Sequence, residues 1–389
     1  MRTTNARCAN SSARSRRGSR CSTSSGATDP RVPFPFPEPG RPIPVEEFLR
    51  AALHDPRRGY YRTRGRPPGR TGDFSTAAGL HPVLGRTVAA WIRAQGGAAP
   101  RAVIELGGGD GSLLDTVLRT LGWVGRRRRR FHLVDASGPM REAQRARLRW
   151  HRGLQWHETI EEALAAAGGE ALIFSNEFAD AFPCAVLEST PEGWRELEVA
   201  QQPDGTITES LGAIRSDIRG IPSSALAYGG TATRTGTRIE VHAAYAEWLH
   251  RWVAGWRRGA LLTIDYGAPF PEVYDRRPRG TLRGYFHHTV ASGREVYQNA
   301  GHQDLTADVN FTDLVHWGEA VGLRATRLET LAGFVASTAP HLLRGADPIR
   351  DRLLDPHGAG VAFRVLEQVR DPVNPASPPP PQARDPQGF

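Results

Sequence analysis

The stretch RAVIELGGGDGS, residues 101–112, decides the fold of this 389-residue chain. It joins a short apolar run to a cluster of glycines, and apolar residues then recur at helical spacing over 113–121. An apolar run bounded by glycines is typical of a buried strand. Glycines let the backbone turn tightly and lie against a ligand. The pattern therefore predicts a strand, a glycine loop and a helix, with a ligand at the carboxyl end of the strand.

The spacing of the glycines indicates which ligand to expect. Gly107, Gly109 and Gly111 form G-x-G-x-G, which differs from the G-x-G-x-x-G of dinucleotide-binding proteins, and no GK[ST] follows as in a triphosphate loop. With Glu105 before them they match the usual class I signature for S-adenosylmethionine (SAM). We expect Gly108 to join them at the cofactor, and Glu105 to face the methionine ammonium or to order the loop. The alternative is a structural strand-to-helix turn.

A second predicted strand, FHLVD at 131–135, ends in a carboxylate. A carboxylate in this place accepts hydrogen bonds from the hydroxyls of a ribose, so we assign Asp135 to the cofactor site. Its alternative role is to cap the helix that follows.

Strands and helices alternate along the rest of the chain. We predict further strands at 154–158, 171–175, 261–265, 323–329 and 362–369, and helices at 44–54, 80–95, 139–149 and 243–256. Such alternation implies parallel strands joined by right-handed crossovers. The predicted fold class is α/β, a doubly wound, mostly parallel, Rossmann-like sheet with an N-terminal helical segment and an inserted region on the acceptor side. The predicted boundaries are 1–40 for a disordered basic tail, 41–370 for the domain (41–96 helical, 185–240 inserted) and 371–389 for a disordered Pro-rich tail.

The formal net charge of +9 raises the question of a nucleic-acid partner. Residues 1–40 hold seven Arg against two acidic residues, and the chain contains no Lys, which points to a GC-rich bacterial genome. We therefore do not favour nucleic acid as a partner. The dense run Arg126–Arg130 is predicted to be a solvated loop before a strand, or alternatively to contact an acidic partner.

Other classes of protein are disfavoured by what the sequence lacks. No apolar run reaches the roughly 18 residues of a membrane span. The three Cys form no CxxC or Cys/His cluster, so neither a metal site nor a disulfide framework is predicted. We predict a cytoplasmic protein.

A second polar cluster, SNEFADAFP at 175–183, follows the strand predicted at 171–175. In a doubly wound sheet this strand ends beside the reactive part of the cofactor. Asn176, Glu177 and Asp180 bring an amide and two carboxylates there, and Asn176 is assigned to the cofactor site as well. Carboxylates can hold the planar fork of a guanidinium. The alternative is a capping arrangement at the start of a helix.

Seven motifs in order resemble those of the MidA-like class I methyltransferases, over roughly residues 42–370. They are HDPRRGYY (54–61), GDFSTA (72–77), ELGGGDGSL (105–113), NEFADAFP (176–183), IDYG (264–267), GTLRGYFHH (280–288) and GHQDLTADVNF (301–311). This chain has Gly108, Asp308 and Asn310 where the family pattern has Pro, His and Asp.

The resemblance implies SAM-dependent methylation of an arginine side chain in a partner protein, with a respiratory-complex subunit as a candidate. It implies catalytic roles for Asn176, Glu177 and Asp180. It implies acceptor-side positions for Asp73, Asp265, Tyr266, Asp304 and Thr306. Two alternatives stay open: a small-molecule methyltransferase, and a SAM-binding assembly factor that docks without catalysis.

Overall fold

The computed structural model describes residues 34–63, 79, 81–227, 234–275, 277–286 and 289–371. The elements are, in chain order, β1 (Ile43–Pro44), α1 (Val45–His54), α2 (Tyr60–Thr63), α3 (Val83–Ala94), β2 (Ala102–Leu106), α4 (Ser112–Arg127), β3 (Arg130–Val134), α5 (Gly138–Arg147), β4 (Gln155–His157), α6 (Ile160–Ala167), β5 (Glu170–Asn176), β6 (Ala185–Thr190), β7 (Gly193–Gln201), β8 (Ile207–Ile214), α7 (Ser224–Ala227), β9 (Arg238–Val241), α8 (Ala243–Val253), β10 (Arg258–Ala268), α9 (Glu272–Asp275), β11 (Arg283–Phe286), β12 (Thr289–Ser292), β13 (Asp304–Thr306), β14 (Val309–Asn310), α10 (Phe311–Ala320), β15 (Arg324–Thr330), α11 (Leu331–Thr338), α12 (Pro348–Leu353), α13 (Ala359–Ala362) and β16 (Phe363–Arg370).

The central sheet confirms the predicted fold class. Its strand order is β15-β16-β10-β5-β2-β3-β4, and β14 adds to the end of β10. β2, β3, β4, β5 and β10 run parallel, whereas β16 is antiparallel to its neighbours β10 and β15. The chain moves outward from β2 to β4 and then crosses to β5 on the other side of β2. The switch point of the sheet therefore lies between the carboxyl ends of β2 and β5.

Apolar residues cover both faces of the sheet because its parallel strands carry helices on each side. Val103 and Leu172 pack with residues of α3 and α4 on one face. Ile104 and Ile173 pack with residues of α6 and α8 on the other. The predicted helices at 44–54, 80–95, 139–149 and 243–256 are confirmed as α1, α3, α5 and α8. Among the described residues, none of the helices combines the length and apolar character that a membrane span requires.

The described part of the inserted region 185–240 packs against α1 and not on the predicted acceptor side of the cavity. Its strands β6, β7, β8 and β9 pair with one another and with β1 to form a separate antiparallel sheet. This sheet covers the apolar face of α1, where Phe48 packs with Val186 and Val199. No described residue of 185–240 lines the main cavity. The amphipathic α1 needed an apolar partner, and the insertion provides it.

The predicted boundary between the N-terminal tail and the domain, at residue 40, lies too far along the chain, because residues before it pack on the domain. Phe36 is buried, and its ring lies 5.6 Å from that of Phe48. The amide of Gly40 donates to the carbonyl of Gln201 at 2.6 Å. The packing of Phe36 thus joins residues 34–40 to the domain. Residues 1–33 and the Pro-rich stretch 372–389 lie outside the described residues.

A small third sheet has no counterpart in the sequence predictions. β11 pairs with both β12 and β13 in antiparallel fashion. The stretch that forms it, residues 283–306, contains three Gly and lacks a clear apolar alternation. It matters for the site because β13 carries Asp304 and Thr306 to the cavity.

Candidate active site

A cavity of about 950 Å³ lies at the switch point of the central sheet. Its walls come from the glycine loop after β2, the end of β3, the loop after β5, the α1–α2 segment and the third sheet. An open α/β sheet binds its ligands at this place. The cavity is therefore the candidate active site.

The glycine loop adopts backbone conformations that favour glycine. Gly107, Gly109 and Gly111 have φ values of +59°, +51° and +81°. A Cβ on Gly107 would lie 2.6 Å from Cδ2 of Phe178, so this position has no room for a side chain. Gly107, Gly108 and Gly109 line the cavity. Gly111 does not line it and instead precedes the first residue of α4.

Glu105 places an unpartnered carboxylate oxygen at the cavity. The side chain is buried and lines the cavity, and its Oε2 has no hydrogen-bond partner among the described residues. Burial, followed by the charges of Asp110 and Asp135, raises the pKa of Glu105 well above its usual range. A buried carboxyl of this kind requires a cationic or hydrogen-bonding ligand. The α-ammonium of SAM fits this requirement.

The raised pKa of Glu105 leads to a prediction about proton release when the ligand binds. Its raised pKa favours the neutral carboxyl, and pairing with an ammonium favours the ionised form, so binding of S-adenosylhomocysteine (SAH) should be accompanied by proton release. Calorimetry in phosphate and Tris buffers, which differ in ionisation enthalpy, measures this release. Glu105→Gln should remove the difference between the buffers. Equal heats in both buffers for the wild type would show that Glu105 does not meet the ammonium.

Asp135 faces the cavity rather than capping a helix. Its two carboxylate oxygens accept from the amide of Ser137 and from Nε2 of Gln144, each at 2.9 Å. Ser137 is the residue that caps α5, by accepting from the amide of Met140. Burial raises the pKa of Asp135 to about 6 against these hydrogen bonds. Its remaining lone pairs suit the hydroxyls of a ribose.

The loop after β5 holds the predicted catalytic residues in a strained turn. Glu177 has a φ of +51°, which is uncommon for a residue with a side chain, and its amide donates to the carbonyl of Ile264 at 3.0 Å. Nδ2 of Asn176 donates to Oε1 of Glu177 at 3.1 Å, and Oδ1 of Asn176 is buried without a described partner. Asn176, Glu177 and Asp180 all line the cavity. No helix follows this loop before β6, so the helix-capping alternative was wrong.

Asp265 does not lie on the acceptor side, which corrects its predicted role. It is fully buried and does not line the cavity. Its Oδ2 accepts from the backbone amides of Phe178, Ala179 and Asp180 at 3.0, 2.8 and 3.4 Å, and its Oδ1 from the amide of Tyr266 at 2.9 Å. The carboxylate therefore positions the loop that carries the predicted catalytic residues.

An Asp265→Asn variant should disturb this loop and reduce turnover. Its NH₂ group would face amide donors, so we expect a loss of about 1–3 kcal/mol in the free energy of unfolding. Asp313→Asn is a matched control, because Asp313 is also buried and accepts three hydrogen bonds, from Ser223 and Ser224. Both variants should lose stability in urea unfolding, but only Asp265→Asn should lose turnover. Equal turnover in the two variants would contradict the positioning role.

The wall of the cavity that the sequence assigns to the acceptor is acidic and aromatic. Tyr61 donates to Oδ1 of Asp304 at 2.6 Å, and Oγ1 of Thr306 is buried without a described partner. Burial, then the charges of Asp265, Glu177 and Asp304, raise the pKa of Asp180 well above its usual range. The wall thus concentrates carboxyl groups that a cation would stabilise.

The structure adds some residues to this wall and leaves others out. Tyr266, Asp304 and Thr306 line the cavity, so their acceptor-side role stays a prediction, and Asp73 lies outside the described residues. Sequence reasoning missed His54, Tyr61 and Tyr285, which also line it and whose only signal was their place in the motifs at 54–61 and 280–288.

Two residues that differ from the family pattern, Asp308 and Asn310, bind other residues of the chain. Asp308 forms ion pairs with Arg277 and Arg283. Asn310 caps α10 by accepting from the amide of Thr312 at 3.1 Å. Neither residue lines the cavity. The substitutions therefore leave the lining of the site intact.

The strand order, the glycine loop at the switch point, and the acidic residues at the ends of β2 and β3 define a class I SAM-dependent methyltransferase. The model of the family described as "Putative S-adenosyl-L-methionine-dependent methyltransferase" matches residues 83–328, and the chain belongs to this family.

Relatives and a solved structure agree with this assignment. The zebrafish (Danio rerio) "Protein arginine methyltransferase NDUFAF7, mitochondrial" is 27% identical over 303 residues, 70% of this chain and 68% of the relative. The Drosophila melanogaster homologue is 28% identical over 375 residues, 84% and 81% of the two chains. A Burkholderia thailandensis protein solved with bound SAH is 27% identical, with a TM-score of 0.74 over 85% of this chain and 88% of that one. SAM is therefore the cofactor of this enzyme family.

Proposed function

We propose that this protein transfers a methyl group from SAM to an arginine side chain of a partner protein. The observation that carries the proposal is the acidic wall of the cavity, to which Glu177, Asp180 and Asp304 contribute. A guanidinium would stabilise these carboxyl groups, and its planar fork matches them geometrically. The zebrafish and fruit-fly relatives, whose names describe protein arginine methyltransferases, support the same acceptor.

The proposed roles follow from the contacts of each side chain. SAM, when bound, supplies an electrophilic methyl group. Transfer breaks a C–S bond, forms a C–N bond to the guanidinium and releases one proton, which a carboxylate of the wall can accept. Glu177 and Asp180 hold the guanidinium and draw its positive charge away from the attacking nitrogen. Oδ1 of Asn176, which lacks a described partner, accepts a hydrogen bond from an N–H group of the guanidinium.

The test is to identify the methylated product. Purified protein would be incubated with SAM carrying a tritiated methyl group and a bacterial protein extract, and the labelled protein would be hydrolysed to amino acids. We expect the label to co-migrate with methylarginine standards. A parallel reaction without enzyme gives the background.

Other distributions of the label would overturn the proposal. Label confined to small molecules would indicate a small-molecule methyltransferase. SAH binding without any transfer would favour an assembly factor that docks without catalysis. Label on a different amino acid would keep the methyltransferase and reject arginine.

A further inference from the structure

An exposed surface rich in Arg and Trp lies away from the cavity. This Arg/Trp surface is formed at the end of α4 and after α5 by Trp123, Val124, Arg127, Arg128, Arg149 and Trp150. Trp123 and Val124 are 61% and 55% exposed, which is unusual for adjacent large apolar residues. The surface is therefore a candidate for contact with another molecule.

A break in α4 exposes these apolar side chains. Leu113, Val117 and Leu121 form the buried stripe of α4, and regular helical spacing would continue it at 124 or 125. Gly122 interrupts the helix with a φ of +67° and a ψ of −176°. Residues after Gly122 therefore do not continue the buried stripe, and the side chain of Val124 is exposed to solvent instead of packing in the core.

The segment that forms this surface carries a large net positive charge. Residues 119–152 contain eleven Arg and two acidic residues, a balance equal to the whole-chain charge of +9. One of the two acidic residues, Asp135, faces the cavity. Arg128 and Arg149 are exposed and form no ion pair with any described residue. The predicted solvated loop at 126–130 is instead the end of α4 and the start of β3.

Stacking on tryptophan orders several of these guanidinium groups. Cζ of Arg127 lies 4.2 Å from the centre of the Trp123 ring, and those of Arg119 and Arg126 lie 4.7 and 5.1 Å from that of Trp150. A guanidinium stacked by its face keeps in-plane N–H donors for a carboxylate. Trp and Arg are also the residues that contribute most to protein–protein interfaces.

We propose that the Arg/Trp surface docks an acidic segment of a partner protein, in which carboxylates flank an apolar side chain. The aliphatic Val124 and rings already covered by guanidinium groups favour a protein over a nucleic acid, whose bases need open aromatic faces. Ser112, which lines the cavity, begins α4, whereas Trp123 follows the break at Gly122 near the other end of the helix, so the Arg/Trp surface is separate from the cavity.

The test measures binding of a defined acidic peptide by fluorescence anisotropy. The probe is a fluorescein-labelled peptide in which runs of Glu flank a Leu-Phe pair, and the full-length protein is used. We expect binding that weakens as salt is raised and that falls at least about tenfold in the Arg127→Glu/Arg128→Glu double variant. Trp123→Ala should also weaken binding. SAH affinity should be unchanged in both variants, which shows that they fold.

A matched control and two further probes make the result decisive. Arg344→Glu/Arg352→Glu makes the same charge change at two exposed positions, one before α12 and one within it, and should leave binding unchanged. The same peptide with Gln in place of Glu should not bind. Equal weakening by the control variant would overturn the proposal. Tighter binding of a single-stranded oligouridylate, lost in Arg127→Glu/Arg128→Glu, would replace it with a nucleic-acid site.

Discussion

A Glu177→Gln variant should bind SAH with wild-type affinity and lose turnover by about 10²- to 10³-fold, the usual effect of removing one electrostatic contact to a transition state. The carboxamide keeps the size of the side chain and an oxygen that can accept from Asn176, as Glu177 does at 3.1 Å. It removes the negative charge that we assign to the guanidinium. Calorimetry with SAH and a radiometric turnover assay separate the two effects.

Glu247→Gln is the matched control for this variant. Glu247 lies on α8, is exposed and does not line the cavity. The same loss of charge there should leave turnover unchanged. If Glu177→Gln turned over like the wild type, Glu177 would have no part in catalysis. If it lost SAH binding instead, Glu177 would belong to the cofactor side of the cavity.

A Gly109→Val variant should lose SAH binding by at least about 100-fold, because a β-branched residue is a genuine outlier at positive φ. The φ of Gly109 is +51°, and the residue lines the cavity where the backbone would approach the cofactor. The loop must therefore change its path to admit valine. Calorimetry with SAH measures the loss.

Gly205→Val separates backbone strain from loss of the site. Gly205 has a φ of +85° in an exposed turn and has no atom within 4 Å of a Cβ built on it. This control should lose stability and keep its affinity for SAH. Undiminished SAH binding by Gly109→Val would show that the glycine loop is a structural turn rather than a cofactor site.

Local sequence patterns predicted the elements that are independent of distant contacts. The apolar runs at 101–106, 131–135 and 171–175 became central strands because parallel strands buried on both faces must be apolar throughout. The glycine loop was also evident, because positive φ angles at Gly107, Gly109 and Gly111 restrict those positions to glycine. Local patterns therefore predict a set of cofactor-side residues, most of which line the cavity.

The acceptor side was less predictable because it depends on side-chain direction. Asp265 and Tyr266 are adjacent in the sequence, but successive residues of a strand point to opposite faces. Tyr266 lines the cavity, whereas Asp265 turns away from it and binds the amides of the loop after β5. A sequence motif does not distinguish these two directions.

By itself, the sequence determined the class of fold and the cofactor, because strand periodicity and glycine spacing are local properties. Only the tertiary structure decided which carboxyl groups face the cavity, that the 185–240 insertion covers α1, and that Trp123 and the arginines share one surface. These outcomes depend on contacts between residues far apart in the chain. Burial and neighbouring carboxylates raise the pKa values of Glu105 and Asp180 well above the usual range, an effect that no local pattern encodes.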